Sequence, residues 1–206
     1  MSLSFKHCMV LLFAWFVTAP WIAGPAVAAS NHVSFAVTML EASPNPLNQQ
    51  FRQLIQQKRF NELQALILSG VDINTMDPKR VSPIHVAAYL GSVEAMRMLI
   101  QRGVNLKATV FGGWSVMHYA AFGGHVELCN LLAAMGVPLE VTDIGGETPV
   151  FYAIESGSLE TVKWFVDHKA NLKHTNNHQE TPFSVAESSG NPEIVAYMKG
   201  LQPAKP

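Results

Sequence analysis

At 206 residues the chain has room for one domain or two, and its 14 Lys and Arg nearly cancel its 15 Asp and Glu, leaving a formal charge of −1. That balance argues against a phosphate-backbone partner, which calls for a basic stripe. With aromatics at 9% and hydrophobic residues at 49%, nothing points to disorder or to a cleft for acidic substrates.

The first residues have the pattern of an export signal. Lys6 and His7 precede an apolar run from Met9 to Val17, and Ala26-Val27-Ala28 fits the small-x-small cleavage pattern. Residues 1–28 are therefore expected to be a secretory signal peptide. The alternative is an uncleaved anchor, because Cys8 to Ala29 carries no charge and is long enough to span a bilayer. Pro20 and Pro25 near its end favour cleavage. Cleavage would remove Lys6 and leave a net charge of −2. It would also remove Cys8, so that Cys129 stands alone and no intramolecular disulfide can form. The expected localisation is periplasmic or secreted, with no membrane insertion of the mature chain. Residues 29–48 read as a connector. Within it, Val33 to Leu40 would pair as a short strand or pack on the first repeat, and Pro44 and Pro46 predict a stiff, non-helical entry.

From residue 82 the chain repeats itself. Ser82-Pro83-Ile84-His85-Val86-Ala87 returns as Ser115-Val116-Met117-His118-Tyr119-Ala120, as Thr148-Pro149-Val150-Phe151-Tyr152-Ala153 and as Thr181-Pro182-Phe183-Ser184-Val185-Ala186, at intervals of 33 residues without slip. Each copy can open a helix. The Ser or Thr hydroxyl accepts from first-turn N–H groups that have no helical partner, and Pro fits the first helical position because its missing N–H would be unpaired there anyway. Gly91, Gly124, Gly157 and Gly190 follow in phase and end these helices. The second helices carry Met96-Met98-Leu99-Ile100, Leu128-Cys129-Leu131-Leu132 and Val162-Trp164-Phe165-Val166, in helical rather than alternating spacing. They close at Gly103, Gly136 and Lys169, where a left-handed cap is expected; Lys169 would be strained there by its Cβ.

Helix, turn, helix and finger-like loop every 33 residues, with Ser/Thr-Pro-x-His at the start and Gly-Val-Asn-Leu at the end, resembles the ankyrin repeat. The resemblance implies an all-α solenoid of paired antiparallel helices with hairpin finger loops. Its repeats would run 82–114, 115–147 and 148–180, followed by a C-terminal capping repeat and tail at 181–206. Gly70-Val71-Asp72-Ile73-Asn74 keeps the end of the motif one period upstream, so residues 49–81 are expected to be a diverged N-terminal cap whose first helix covers Gln49 to Gln57. Asn191-Pro192 would start the last helix and Gly200 and Pro203 would stop it.

The resemblance also assigns roles. His85 and His118 would tie each loop to its neighbour, and Cys129 would be a small buried hydrophobe. Family members bind through finger tips and the exposed side of the first helices. Transferred to this chain, those positions include Val81, Tyr89, Leu90, Phe111, Trp114, Phe122, Ile144, Glu147, Glu155 and Glu180. Tyr89, Trp114 and Phe122 would anchor a protein partner, with Glu147, Glu155 and Glu180 as an acidic rim. The alternative for Phe111 and Trp114 is that they fold back between fingers about the flexible Gly112-Gly113. No catalytic signature is present, so a non-enzymatic, monomeric binding module without cofactor or metal is expected, one that stabilises, inhibits or neutralises a partner. The alternatives are an exported effector acting on a host protein, or a metal site built from His168, His174 and His178.

Overall fold

The computed structural model describes residues 37–38 and 40–201, in which ten helices between Pro46 and Leu201 pair into five antiparallel units. They are α1 (Pro46–Gln56), α2 (Phe60–Leu68), α3 (Pro83–Tyr89), α4 (Val93–Gln101), α5 (Val116–Phe122), α6 (Val126–Ala134), α7 (Pro149–Glu155), α8 (Leu159–Asp167), α9 (Pro182–Ser188) and α10 (Pro192–Leu201). The first helices stack in the order α1–α3–α5–α7–α9 and the second helices in the order α2–α4–α6–α8–α10. A helix of seven or nine residues is marginal alone in water. Here each is sandwiched, and from Pro83 to Ala88 every residue of α3 is buried. Small residues at Ala87, Ala88, Ala120 and Ala121 let the first helices approach closely.

The helix starts agree with the motif reading. Ser82, Ser115, Thr148 and Thr181 sit in extended backbone immediately before α3, α5, α7 and α9. Lys169 has φ 64°, while Gly70, Gly103 and Gly136 hold positive φ at the equivalent point. The expected strain at Lys169 is therefore real.

Several expectations fail at the ends. Pro46 does not keep its segment out of a helix: it occupies the first turn of α1, behind an Asn45 N-cap whose side chain accepts from the Leu47 N–H. Proline suits that position, so α1 begins earlier than Gln49. Of the two readings for Val33 to Leu40, the strand does not form at its described residues, which are helical, whereas Leu40 packs fully buried in the core. Gly200 lies within α10 and does not stop it. Residues 1–28, expected to be a signal peptide, and most of the segment from Val33 to Leu40 lie outside the described residues. No helix among the described residues is long and apolar enough to cross a membrane.

Candidate functional site

Each finger is closed at its base by one backbone hydrogen bond. The N–H groups of Asp77, Val110, Asp143 and Asn176 donate to the carbonyls of Val81, Trp114, Glu147 and Glu180. In three of the four fingers the first residue of this pair also folds the loop through its side chain. Asp77 Oδ1 accepts from the N–H groups of Lys79 and Val81, Asp143 Oδ1 from Gly145 and Glu147, and Asn176 Oδ1 from His178 and Glu180. The sequence reading overlooked this column, although Asp77, Asp143 and Asn176 stand in the 33-residue register.

The closing residue turns inward, which corrects three of the sequence assignments. Val81, Trp114 and Glu147 are buried, at 0%, 2% and 3% exposure. Trp114 does not anchor a partner. Its indole N–H donates to the Tyr152 hydroxyl at 3.2 Å, and its ring lies 4.2 Å from Tyr152, 5.1 Å from Tyr119 and 5.9 Å from Phe122, centroid to centroid. The Tyr152 hydroxyl in turn donates to Asp143 Oδ2 at 2.5 Å. Glu147 does not form a rim, since its Oε1 accepts from Asn176 Nδ2, which also donates to Glu180 Oε2. A wide aromatic and a carboxylate can both occupy this position because each finds a polar partner further along the stack, Tyr152 for Trp114 and Asn176 for Glu147.

The tips themselves face solvent. Phe111 is 60% exposed and Ile144 is 62% exposed. Backbone bonds hold them side by side, with Phe111 N–H donating to the Lys79 carbonyl and Ile144 N–H to the Gly112 carbonyl. The Gly112-Gly113 tip is not a free hinge. A Cβ at Gly113 would come within 2.9 Å of the Asp143 backbone, so glycine is required for the second and third fingers to lie this close. Phe111 is largely exposed and Trp114 is buried, so of the two readings the alternative, folding back, holds for Trp114.

On the first-helix face, Tyr89, Leu90 and Phe122 are half-buried and pack against the core. Tyr89 donates its hydroxyl proton to Glu41 Oε1, and the Arg52 guanidinium sits 5.9 Å from its ring centre. The connector thus covers the N-terminal end of the groove: Arg52 also holds the Leu40 carbonyl, and Ser43 donates to Asp77 at 2.6 Å. Glu155 occupies the same register as Tyr89 and Phe122 but is not an open rim. Both of its carboxyl oxygens are buried without a hydrogen-bond partner. Burial first, then the neighbouring Glu147, Asp143 and Glu180, push its pKa up to about 8.

The histidines divide as the motif implies. Ser82 N–H donates to His85 Nδ1, which leaves Nε2 to carry the proton and donate to the Ala108 carbonyl at 3.2 Å. His118 does the same between Ser115 N–H and the Glu147 carbonyl at 3.1 Å. Burial lowers both imidazoles to about 4. His168 stacks on Trp164 with ring centres 4.0 Å apart, and His174 donates to the Gly146 carbonyl. Together with the exposed His178 they form no metal-holding group among the described residues. Cys129 is buried, and burial pushes its thiol up to about 12, too high for a thiolate nucleophile.

A family model described as ankyrin repeats (3 copies) matches residues 53–143 and 135–203. The chain is an ankyrin-repeat protein. A comparison with curated proteins found no match. The two stretches reach from α1 to the end of α10, so they take in the helices and fingers that carry Phe111 and Ile144. Ankyrin repeats are a protein-interaction module.

Proposed function

We propose that this ankyrin-repeat protein is an exported, non-enzymatic binding module that captures a partner protein on its second and third finger tips and the adjoining first-helix face. The observation that carries this is the pair Phe111 and Ile144, large apolar side chains exposed at 60% and 62% on two rigidly coupled fingers. Adjacent exposed apolar groups mark interaction surfaces. Leu90 and Phe122 extend the apolar surface along the concave face, and Glu155 ends it. Export is supported by the charge and apolar pattern of residues 1–28.

Affinity capture from the native extract tests this, with wild type beside a Phe111→Ala/Ile144→Ala double variant. The wild type should retain one partner that the variant loses, while both unfold at the same temperature. Equal capture by the two proteins would move the binding surface elsewhere. N-terminal sequencing of the purified native protein should begin at Ala29.

A further inference from the structure

The third and fourth repeats meet around a carboxyl group that nothing bonds. Glu155 closes α7, and the residue as a whole is partly exposed although both of its carboxyl oxygens are buried. Its stem therefore reaches the concave face while its head turns inward. The charged groups that face it are carboxylates: Asp143 and Glu147 from the finger before α7, and Glu180 from the finger before α9. Among these, Asp143 is fixed by Tyr152 and two backbone N–H groups, and Glu147 and Glu180 share the Asn176 amide.

The other titratable groups on the packed elements offer no counter-charge. On α5, His118 is buried and neutral, with both ring nitrogens in use. On α7, Tyr152 is a phenol whose ionisation burial suppresses. On α8, Lys163 is bonded to Glu160 at 2.8 Å, and Asp167 is exposed. On α9, Glu187 is exposed. An ionised Glu155 in this position would face three carboxylates in a place with little water, which is the least favourable state open to it.

We propose that this junction is proton-gated: Glu155 is held between the third and fourth repeats as the neutral acid, and on giving its proton to solvent the carboxylate leaves the junction for the concave face. A pKa pushed up to about 8 by burial and by the three carboxylates agrees with this. Once outside, the side chain recovers the ordinary value near 4.5. The opened junction is therefore favoured about ten-fold more for each pH unit between those two values. As it opens, the groove between Phe122 and Ser188 gains a negative charge, and the contact of α9 with α7 loosens.

Two measurements on the purified protein test the gate. The first is a carbon-13 NMR titration of the side-chain carboxyls, with Glu155→Gln used to assign the resonance. Glu155 should titrate near pH 8; titration near 4.5 would overturn the proposal without any need for the variant to fold. The second is hydrogen exchange of α9 amides, corrected for intrinsic pH dependence. Protection should fall about ten-fold per unit from pH 5.5 to 7.5 in the wild type, and this slope should be absent in Glu155→Gln and in Glu155→Leu. An equal slope in wild type and variants, or no slope in either, would show that the proton does not govern the junction.

Discussion

Acidification from pH 6.5 to 5.5 should destabilise the protein by an amount set by three buried groups. His85 and His118 are fully buried and neutral in the fold, with pKa values lowered from 6.5 to about 4. In each, the nitrogen that would take the extra proton already accepts a backbone N–H. In the unfolded chain both bind protons in this window, and in the folded chain neither does. A lowered folded pKa means stability that is complete above pH 6.5 and drains away as pH falls toward 4. Each histidine accounts for about 1 kcal/mol over this unit of pH, because the unfolded imidazole is already half protonated at pH 6.5. Glu155 works in the opposite sense: its raised folded pKa makes its contribution complete below 4.5 and lost as pH rises toward 8. From pH 6.5 to 5.5 the two histidines together cost roughly 2 kcal/mol and Glu155 offsets about 1.3 kcal/mol of it. Urea titrations at fixed temperature should show wild-type stability falling by roughly 0.7 kcal/mol, and that of Glu155→Gln by roughly 2 kcal/mol. Replacing His118 with Phe, the residue the third repeat carries at Phe151, should remove one histidine's share of the slope. A flat profile in wild type, or the same slope in wild type and Glu155→Gln, would refute the assignment of these groups.

Two further substitutions test the packing. Trp114→Ala should lower stability by about 3–5 kcal/mol in urea titration, the range for a fully buried large aromatic, because it empties the space among Tyr119, Phe122 and Tyr152 and leaves the Tyr152 hydroxyl without its donor. A change below about 1 kcal/mol would show that the indole lies outside the stack. Lys169→Gly should raise stability by roughly 1 kcal/mol, since a side chain at φ 64° carries a left-handed strain that glycine escapes; an unchanged melting temperature would place the helix end in another conformation.

Helix starts and turns were legible from the chain because their causes are local. A Ser or Thr cap, a following Pro and a closing Gly act within a few residues, so the 33-residue register placed α3, α5, α7 and α9 at the motif itself. The facing of the finger-closing column was not legible. Repetition shows that Val81, Trp114, Glu147 and Glu180 are equivalent, but their direction depends on what meets them from the next repeat. Trp114 is turned inward by Tyr152, 38 positions away, and Glu147 by Asn176, 29 positions away. Phe111 and Ile144, by contrast, lie toward the finger tips, and both are largely exposed, at 60% and 62%. The covering of Tyr89 by Glu41 and Arg52 was hidden for a related reason: those groups come from the cap and the connector, where the repeating pattern has faded.

Site-specific photocrosslinking tests the binding surface most directly. A benzoylphenylalanine would be placed in turn at Phe111 and Ile144 on the finger tips, and at Leu68 and Met135, which are 54% and 45% exposed at the ends of α2 and α6. Irradiation in the native extract should give the same single adduct from the two finger positions and none from the two helix-end positions. An adduct confined to Leu68 or Met135, or none from Phe111 and Ile144, would contradict the placement of the partner on the fingers.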